Sequence, residues 1–304
     1  MSLVEKALQK LQSARPAAPP PLPPRAPPSA PLRGTGRPPV EHAPPPLPQV
    51  SPDDFRADGA KLLHLNHDQL RSALMLPQVS QERELSDQFR AIKRPLIDYA
   101  QAGSAEMAKR TIMVASALPG DGKTFTSLNL ALSLALETEL HVLLVDTDAP
   151  KPHLTRTFEL QDRPGILDLL TDHNRAVESV IVPTDVPRLD FAPWGTVSES
   201  ATELLASERM RDVVERFASI YRRGIVLFDS PPILLTNESR ALGAILGQIV
   251  LVVRAGVTPQ QAVKDAVGIL GEDRHISLVL NGAELRGPAG YYYGYGYGYG
   301  SNAR

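Results

Sequence analysis

From Thr111 to about Gly282 the chain alternates short apolar runs with amphipathic segments, and no other property of the sequence restricts its fold so tightly. The runs are TIMVAS (111–116), HVLLVD (141–146), RLDFAP (188–193), GIVLFD (224–229), QIVLVV (248–253) and ISLVLN (276–281). Between them lie TSLNLALSLALE, ELLASERMRDVVERFASIY and PQQAVKDAVGIL, whose apolar residues recur at helical spacing. A short run that stays apolar without alternating must be covered on both faces, which is the pattern of a parallel sheet flanked by helices. Ligands of such sheets bind at the carboxyl ends of the strands, so the residues that follow each run are the ones that carry chemistry. Upstream, residues 81–102 read as a helix around Leu85, Phe89 and Ile92, with Pro95 expected to kink or break it.

The first run ends in Ala117-Leu-Pro-Gly-Asp-Gly122-Lys123-Thr124, which fits GxxxxGK[ST] with Ala in place of the first Gly. A glycine-rich turn that opens a helix directs backbone N–H groups and the helix dipole at a polyphosphate. The backbone of Pro119, Gly120, Asp121, Gly122, Lys123, Thr124 and Phe125 is therefore the candidate nucleotide cradle. Lys123 would reach the β and γ phosphates of ATP, and the Thr124 hydroxyl would ligate Mg²⁺. The expected fold is accordingly α/β: a P-loop NTPase-type, doubly wound, mostly parallel sheet with helices on both faces.

Two more runs end in carboxylates, one in Asp146-Thr-Asp148 and the other in Asp229-Ser-Pro-Pro. An Asp after a strand is often only a helix cap. Three strand ends carrying Lys-Thr, Asp-x-Asp and Asp-x-Pro are harder to explain as three caps. A P-loop enzyme needs one acid for its metal, so the doubled Asp146 and Asp148 are the informative surplus. One can serve the metal while the other takes a proton from, or orients, an attacking hydroxyl.

These motifs resemble the bacterial tyrosine kinases (BY-kinases) of exopolysaccharide systems, which carry a Walker A, a second acidic Walker A′ and a Walker B. The likeness covers roughly Ser80 to Gly282. MSLVEKAL, FRAIKRPL, DTDAPKP, ELLASERM and FDSPPILLTNE are similar to the exosortase-associated tyrosine autokinase subgroup. The resemblance implies ATP and Mg²⁺ as cofactors, with Lys123, Asp146, Asp148 and Asp229 as the catalytic set. It implies Thr124, Asp146 and Asp229 at the metal, Asp148 near the acceptor hydroxyl, and Asn281 beside the adenine. Arg254 and Thr258, in VVRAGVT, match the family pattern without a derivable role. The ExxRxxR element that packs subunits into a ring corresponds to Asp87, Arg90 and Lys93, so a ring-shaped homo-oligomer is an expectation, although Lys lacks the bidentate fork of Arg. The resemblance also implies a separate membrane-bound chain-length or activator protein of a polysaccharide export system as partner.

Composition sharpens this reading at the two ends. Sixteen of the 29 prolines lie between Pro16 and Pro52, and six of the eight tyrosines lie in the last fourteen residues. Residues 1–14 read as a short amphipathic helix through Leu3, Ala7, Leu8 and Leu11, either a fraying end or a docking segment. Residues 15–60 read as a proline-rich linker, within which PPLPP has the shape of a polyproline ligand. The kinase-like domain is expected at 61–284 and a flexible tail at 285–304. A net charge of −2 gives no footprint for nucleic acid. The absence of cysteine removes disulfides, thiolate metal sites and a cysteine nucleophile. With neither a secretory h-region nor an apolar run of spanning length, the chain reads as cytoplasmic and without a transmembrane segment of its own, recruited to the inner face of the membrane.

The tail, YYYGYGYGYG, taken alone is a sticky low-complexity end. On a chain resembling a tyrosine kinase, Tyr291, Tyr292, Tyr293, Tyr295, Tyr297 and Tyr299 become the expected phosphoacceptors, reached in trans by a neighbouring copy. Each phosphate would add about −1.5 to −2 charges, so full modification should expel the tail from an acidic site and loosen assembly. Two rivals share the phosphate motif: a partitioning-type P-loop ATPase, in which Leu118 would be a signature Lys, and a non-catalytic nucleotide-binding scaffold of an export complex.

Overall fold

The computed structural model describes residues 51–56, 61–102, 107–196, 201–271 and 273–283. Its strands are β1 (Thr111–Ser116), β2 (His141–Asp146), β3 (Val182–Pro183), β4 (Leu189–Ala192), β5 (Gly224–Asp229), β6 (Gln248–Arg254) and β7 (His275–Asn281). They form one sheet in the order β3-β4-β2-β5-β1-β6-β7. Every neighbouring pair is parallel except β3 with β4. The six apolar runs are the six parallel strands, and the two-residue β3 went unread because it is too short to show a period. The chain runs outward from β1 to β2 and β4, returns through β5, and crosses β1 to β6 and β7. The strand order therefore reverses about β1, where doubly wound sheets bind their ligands.

The helices are α1 (His67–Ser72), α2 (Glu82–Gln101), α3 (Lys123–Ala135), α4 (His153–Thr157), α5 (Ile166–Thr171), α6 (Ala201–Leu205), α7 (Glu208–Ile220), α8 (Asn237–Ile245) and α9 (Gln260–Leu270). Alternate residues of each strand enter two separate cores. Ile112, Val114, Val142, Leu144, Ile225, Leu227, Val250 and Val252 pack with Phe89 and Leu96 of α2 and Leu128 and Leu134 of α3. Met113, Leu143, Val145, Val226, Phe228, Ile249 and Leu251 pack on the other face with Phe217 of α7, Leu242 of α8 and Leu270 of α9. Each such aliphatic side chain contributes about 1.5–3 kcal/mol on burial, so register is fixed by both faces at once.

Three local expectations are corrected. Pro95 lies inside α2 without ending it, because Phe89 on one side of the proline and Leu96, Ile97 and Ala100 on the other are buried. The segment ELLASERM…ASIY divides into α6 and α7, with the Ser207 side chain accepting from the Met210 N–H as the cap of α7. Ordered packing begins before residue 61: Pro52–Arg56 form a 3₁₀ turn. Arg56 Nη2 lies 2.8 Å from Asp190 Oδ1 and 2.6 Å from the Leu189 carbonyl, while the Tyr221 hydroxyl donates to Asp190 Oδ2 at 2.8 Å. That buried carboxylate ties the upstream segment to β4.

The segment 1–14, the linker up to residue 50 and the tail 285–304 with its six tyrosines lie outside the described residues. Among the described residues no helix is long and apolar enough to cross a membrane.

Candidate phosphate and acidic site

The turn after β1 is built to approach an anion closely. Gly120 and Gly122 have φ of +84° and +97°, a region in which L side chains are strained. A Cβ on Gly122 would also lie 1.9 Å from Asn281 Nδ2. Gly122 caps α3 without a side chain, so the first N–H groups of that helix remain open to a ligand. Phe125 contributes backbone alone: its ring packs into the α2–α3 core, 6.3 Å from that of Phe89. Asn281 Nδ2 donates to the Asp121 carbonyl at 2.9 Å, so this side chain braces the turn. A groove of about 650 Å³ lined by Val253, Arg254, Val257, Thr258, Lys264 and Leu280 adjoins it, and its apolar walls suit a nucleobase.

The acids gather at the neighbouring strand ends. Asp146 of β2 and Asp229 of β5 are register partners, and both are fully buried. Lys123 Nζ lies 2.6 Å from Asp148 Oδ2. Burial pulls the Lys123 ammonium down, but the charges of Asp229, Asp148 and Asp146 outweigh it and hold its pKa above the ordinary value. Burial, then the adjacent Asp229, push the Asp146 carboxyl up to about 7. Burial pushes Asp229 up to about 6, against the opposing pull of Lys123.

The hydrogen bonds of the two acids differ. Asp146 Oδ2 accepts from the Thr155 N–H at 2.9 Å and the Thr155 hydroxyl at 2.8 Å, and Oδ1 accepts from the Asp148 N–H at 3.2 Å. Asp229 Oδ1 accepts from the Ser127 hydroxyl at 2.9 Å, whereas its Oδ2 is buried with no hydrogen-bond partner. An orphaned carboxylate oxygen, with the Thr124 hydroxyl acting on the same carboxyl, suits a hard cation. Among the described residues no three His, Cys, Asp or Glu are grouped to cage a metal. The donor set therefore fits Mg²⁺ that shares phosphate oxygens and water rather than an all-protein site.

The structure thus brings Lys123, Thr124, Asp146, Asp148, Asp229 and Asn281 to one end of the sheet, while Asp87, Arg90 and Lys93 lie on α2. Asp87 and Arg90 are exposed and pair with each other at 3.0 Å. Lys93 is turned inward, 2.6 Å from the Ser133 carbonyl and 2.7 Å from Glu137 Oε1, so it clamps α2 to α3. The sequence reading missed Thr155, nine residues after the acid it serves, and Ser127, one helical turn after Lys123. It also missed His153, whose imidazole is lowered by burial and by the Lys123 charge.

A family model described as an AAA domain matches residues 109–258. Tyrosine-protein kinase YwqD of Bacillus subtilis is 30% identical over 212 residues, covering 69% of this chain and 86% of that protein. A putative tyrosine-protein kinase EpsB of Ralstonia solanacearum is 35% identical over 161 residues, covering 53% of this chain and 21% of that protein, so the chain spans about a fifth of it. Among solved structures, the kinase domain of Escherichia coli tyrosine kinase ETK superposes with a TM-score of 0.59 at 27% identity, covering 69% of this chain and 80% of that one.

Proposed function

The chain belongs to the bacterial tyrosine-protein kinase family, and from that premise we propose that it transfers the γ-phosphoryl group of ATP to tyrosines of its own tail. The acceptors are Tyr291, Tyr292, Tyr293, Tyr295, Tyr297 and Tyr299, presented by a neighbouring copy. The observation that carries this reading is the second acidic loop: Asp148 pairs with Lys123 at 2.6 Å, beside a separate carboxylate with a vacant oxygen. Hydrolysis of ATP requires only one such acid, and a second beside the lysine suits handling of an acceptor hydroxyl.

In this scheme Lys123 leaves Asp148 for the phosphates, which frees Asp148 to take the phenolic proton. The tyrosine oxygen bonds to the γ phosphorus as the bond to the β–γ bridging oxygen breaks, and ADP leaves. Thr124 and Asp229 Oδ2 would hold Mg²⁺, which when bound neutralises charge on the phosphate oxygens. Asp146 organises the loop that carries Asp148. The wider role is control of polysaccharide polymerisation or export at the inner face of the membrane, with a separate membrane-bound chain as activator. Exposed Asp87 and Arg90 are the candidates for contacts between copies.

The test is incubation with Mg·ATP followed by mapping of phosphate by mass spectrometry. The wild-type chain should acquire tail phosphotyrosine, Lys123→Ala should acquire none, and Asp148→Asn should bind nucleotide without transfer. Phosphotyrosine on the Lys123→Ala protein would overturn the assignment.

A further inference from the structure

The phosphate-binding turn has little of its own to hold it. Its backbone is left-handed at Gly120 and Gly122, and its N–H groups are useful only if they keep a fixed aim. Within the turn, Ser116 Oγ donates to the Leu118 carbonyl at 2.7 Å, and the Leu118 N–H reaches Asp121 Oδ2 at 3.3 Å. Asp121 is only 3% exposed, and it is gripped from outside the turn. The Thr258 hydroxyl donates to Asp121 Oδ1 at 2.6 Å, and Asn281 Nδ2 donates to the Asp121 carbonyl at 2.9 Å.

Thr258 is itself aimed. Its hydroxyl oxygen accepts from the Arg254 N–H at 3.0 Å, which leaves the hydroxyl proton to point at Asp121. The Thr258 N–H returns to the Arg254 carbonyl at 3.0 Å, and the Ala255 N–H donates to the Asn281 carbonyl at 2.9 Å. The end of β6, the end of β7 and the phosphate turn are thereby joined through one buried carboxylate. The same β6–α9 turn forms a wall of the groove that suits a nucleobase.

We infer that Thr258 is a positioning residue for phosphate binding, which sets the aim of the turn 117–122 through its hydrogen bond to Asp121. This rests on the nucleotide-binding part of the proposed function, and it assigns the residue a role in a part of the chain where sequence reading found none. Thr258→Val keeps the shape and removes both the donor to Asp121 and the acceptor for the Arg254 N–H, while Thr258→Ser keeps both.

The experiment measures dissociation constants of the full chain for Mg·ADP, Mg·tripolyphosphate and adenosine, together with KM and kcat for autophosphorylation and the melting temperature. Thr258→Val should weaken Mg·ADP and Mg·tripolyphosphate alike by about tenfold, the effect of one hydrogen bond to a charged group. It should raise KM for ATP more than it lowers kcat, and leave adenosine binding unchanged. Thr258→Ser should bring tripolyphosphate affinity back to within about twofold of wild type. Thr258→Val paired with Asp121→Ala should cost less than the sum of the single changes, since each removes one partner of the same contact. Wild-type affinity for tripolyphosphate in Thr258→Val, or an equal loss of adenosine binding, would overturn the inference. Failure of the nucleotide reading looks different: the wild-type chain would bind no Mg·ADP, or Lys123→Ala would bind it as well as wild type.

Discussion

Asp146 and Asp229 occupy the same layer of the fold and meet different fates. Both close a buried parallel strand, face each other in register, and have pKa values raised chiefly by burial. Yet Asp146 spends both oxygens on three donors, two from Thr155 of α4 and one from Asp148, and Asp229 keeps one oxygen without a partner. Burial alone therefore does not separate the two acids; their hydrogen-bond donors do. A carboxylate already bonded to Thr155 and to the Asp148 N–H shapes its surroundings, whereas a buried one with an unpaired oxygen has a reason to hold a cation.

The strongest way to break this comparison is to neutralise each acid in turn. Asp229→Asn should lower tyrosine phosphorylation by about a thousandfold and remove the Mg²⁺ dependence of nucleotide binding. Asp146→Asn, which on the proposed assignment leaves the metal position intact, should cost about tenfold. Equal losses in a single-turnover phosphorylation assay would mean that the two acids share the metal, as the sequence motif alone suggests.

The sequence reading reached as far as its signals were local. Six strands, the phosphate turn and the acids at the strand ends were legible because each is a contiguous pattern whose period or spacing carries the physics. The different hydrogen bonding of the two acids was not, since it depends on Thr155 reaching back to Asp146 and on Ser127 facing Asp229 from α3. The inward turn of Lys93 was hidden for the same reason. Its spacing from Asp87 and Arg90 matches the ExxRxxR element of the family, but Ser133 and Glu137, some forty residues later, draw its ammonium inward. Arg56 read as linker because its partner Asp190 is 134 residues away.

Removing the donors of Asp146 gives the next largest effect. The Thr155 hydroxyl donates to Asp146 and accepts from the Trp194 N–H at 2.9 Å. Thr155→Val should leave that buried N–H unpaired, at a cost of roughly 2–3 kcal/mol. For a domain of this size that lowers the melting temperature by about 5–10 °C. Magnesium affinity should change little. A variant that melts normally but loses magnesium would reverse the roles of the two acids.

A smaller effect follows from pH. Both carboxyls keep a proton in the native state at pH values where the unfolded chain, with ordinary Asp near 4, has lost it. Between about pH 4 and 7 the unfolded chain thus binds fewer protons, and stability without nucleotide falls as pH rises. From pH 6 to 8 the loss should be about 1–2 kcal/mol by calorimetry, and it should shrink in Asp146→Asn, whose partner has the lower pKa. Magnesium moves the other way, because Asp229 must ionise to bind it, so Mg·ADP affinity should rise through about pH 6.

The finest test uses Ser127, the donor that holds Asp229 by its other oxygen. Its hydroxyl reaches Asp229 Oδ1 at 2.9 Å and is one of the contacts that restrain the rise in the Asp229 pKa. Ser127→Ala removes that contact and leaves Oδ2 untouched. The carboxylate becomes harder to ionise, so the midpoint of the rise in Mg·ADP affinity should move to higher pH by about half a unit, roughly 0.7 kcal/mol. At pH 8, where Asp229 is ionised in both proteins, the two affinities should converge. The melting temperature should respond less than in Thr155→Val, since no buried N–H is stranded. If Ser127→Ala instead weakened magnesium equally at every pH, the serine would be acting on the metal itself and Asp229 would not be the group whose ionisation controls it.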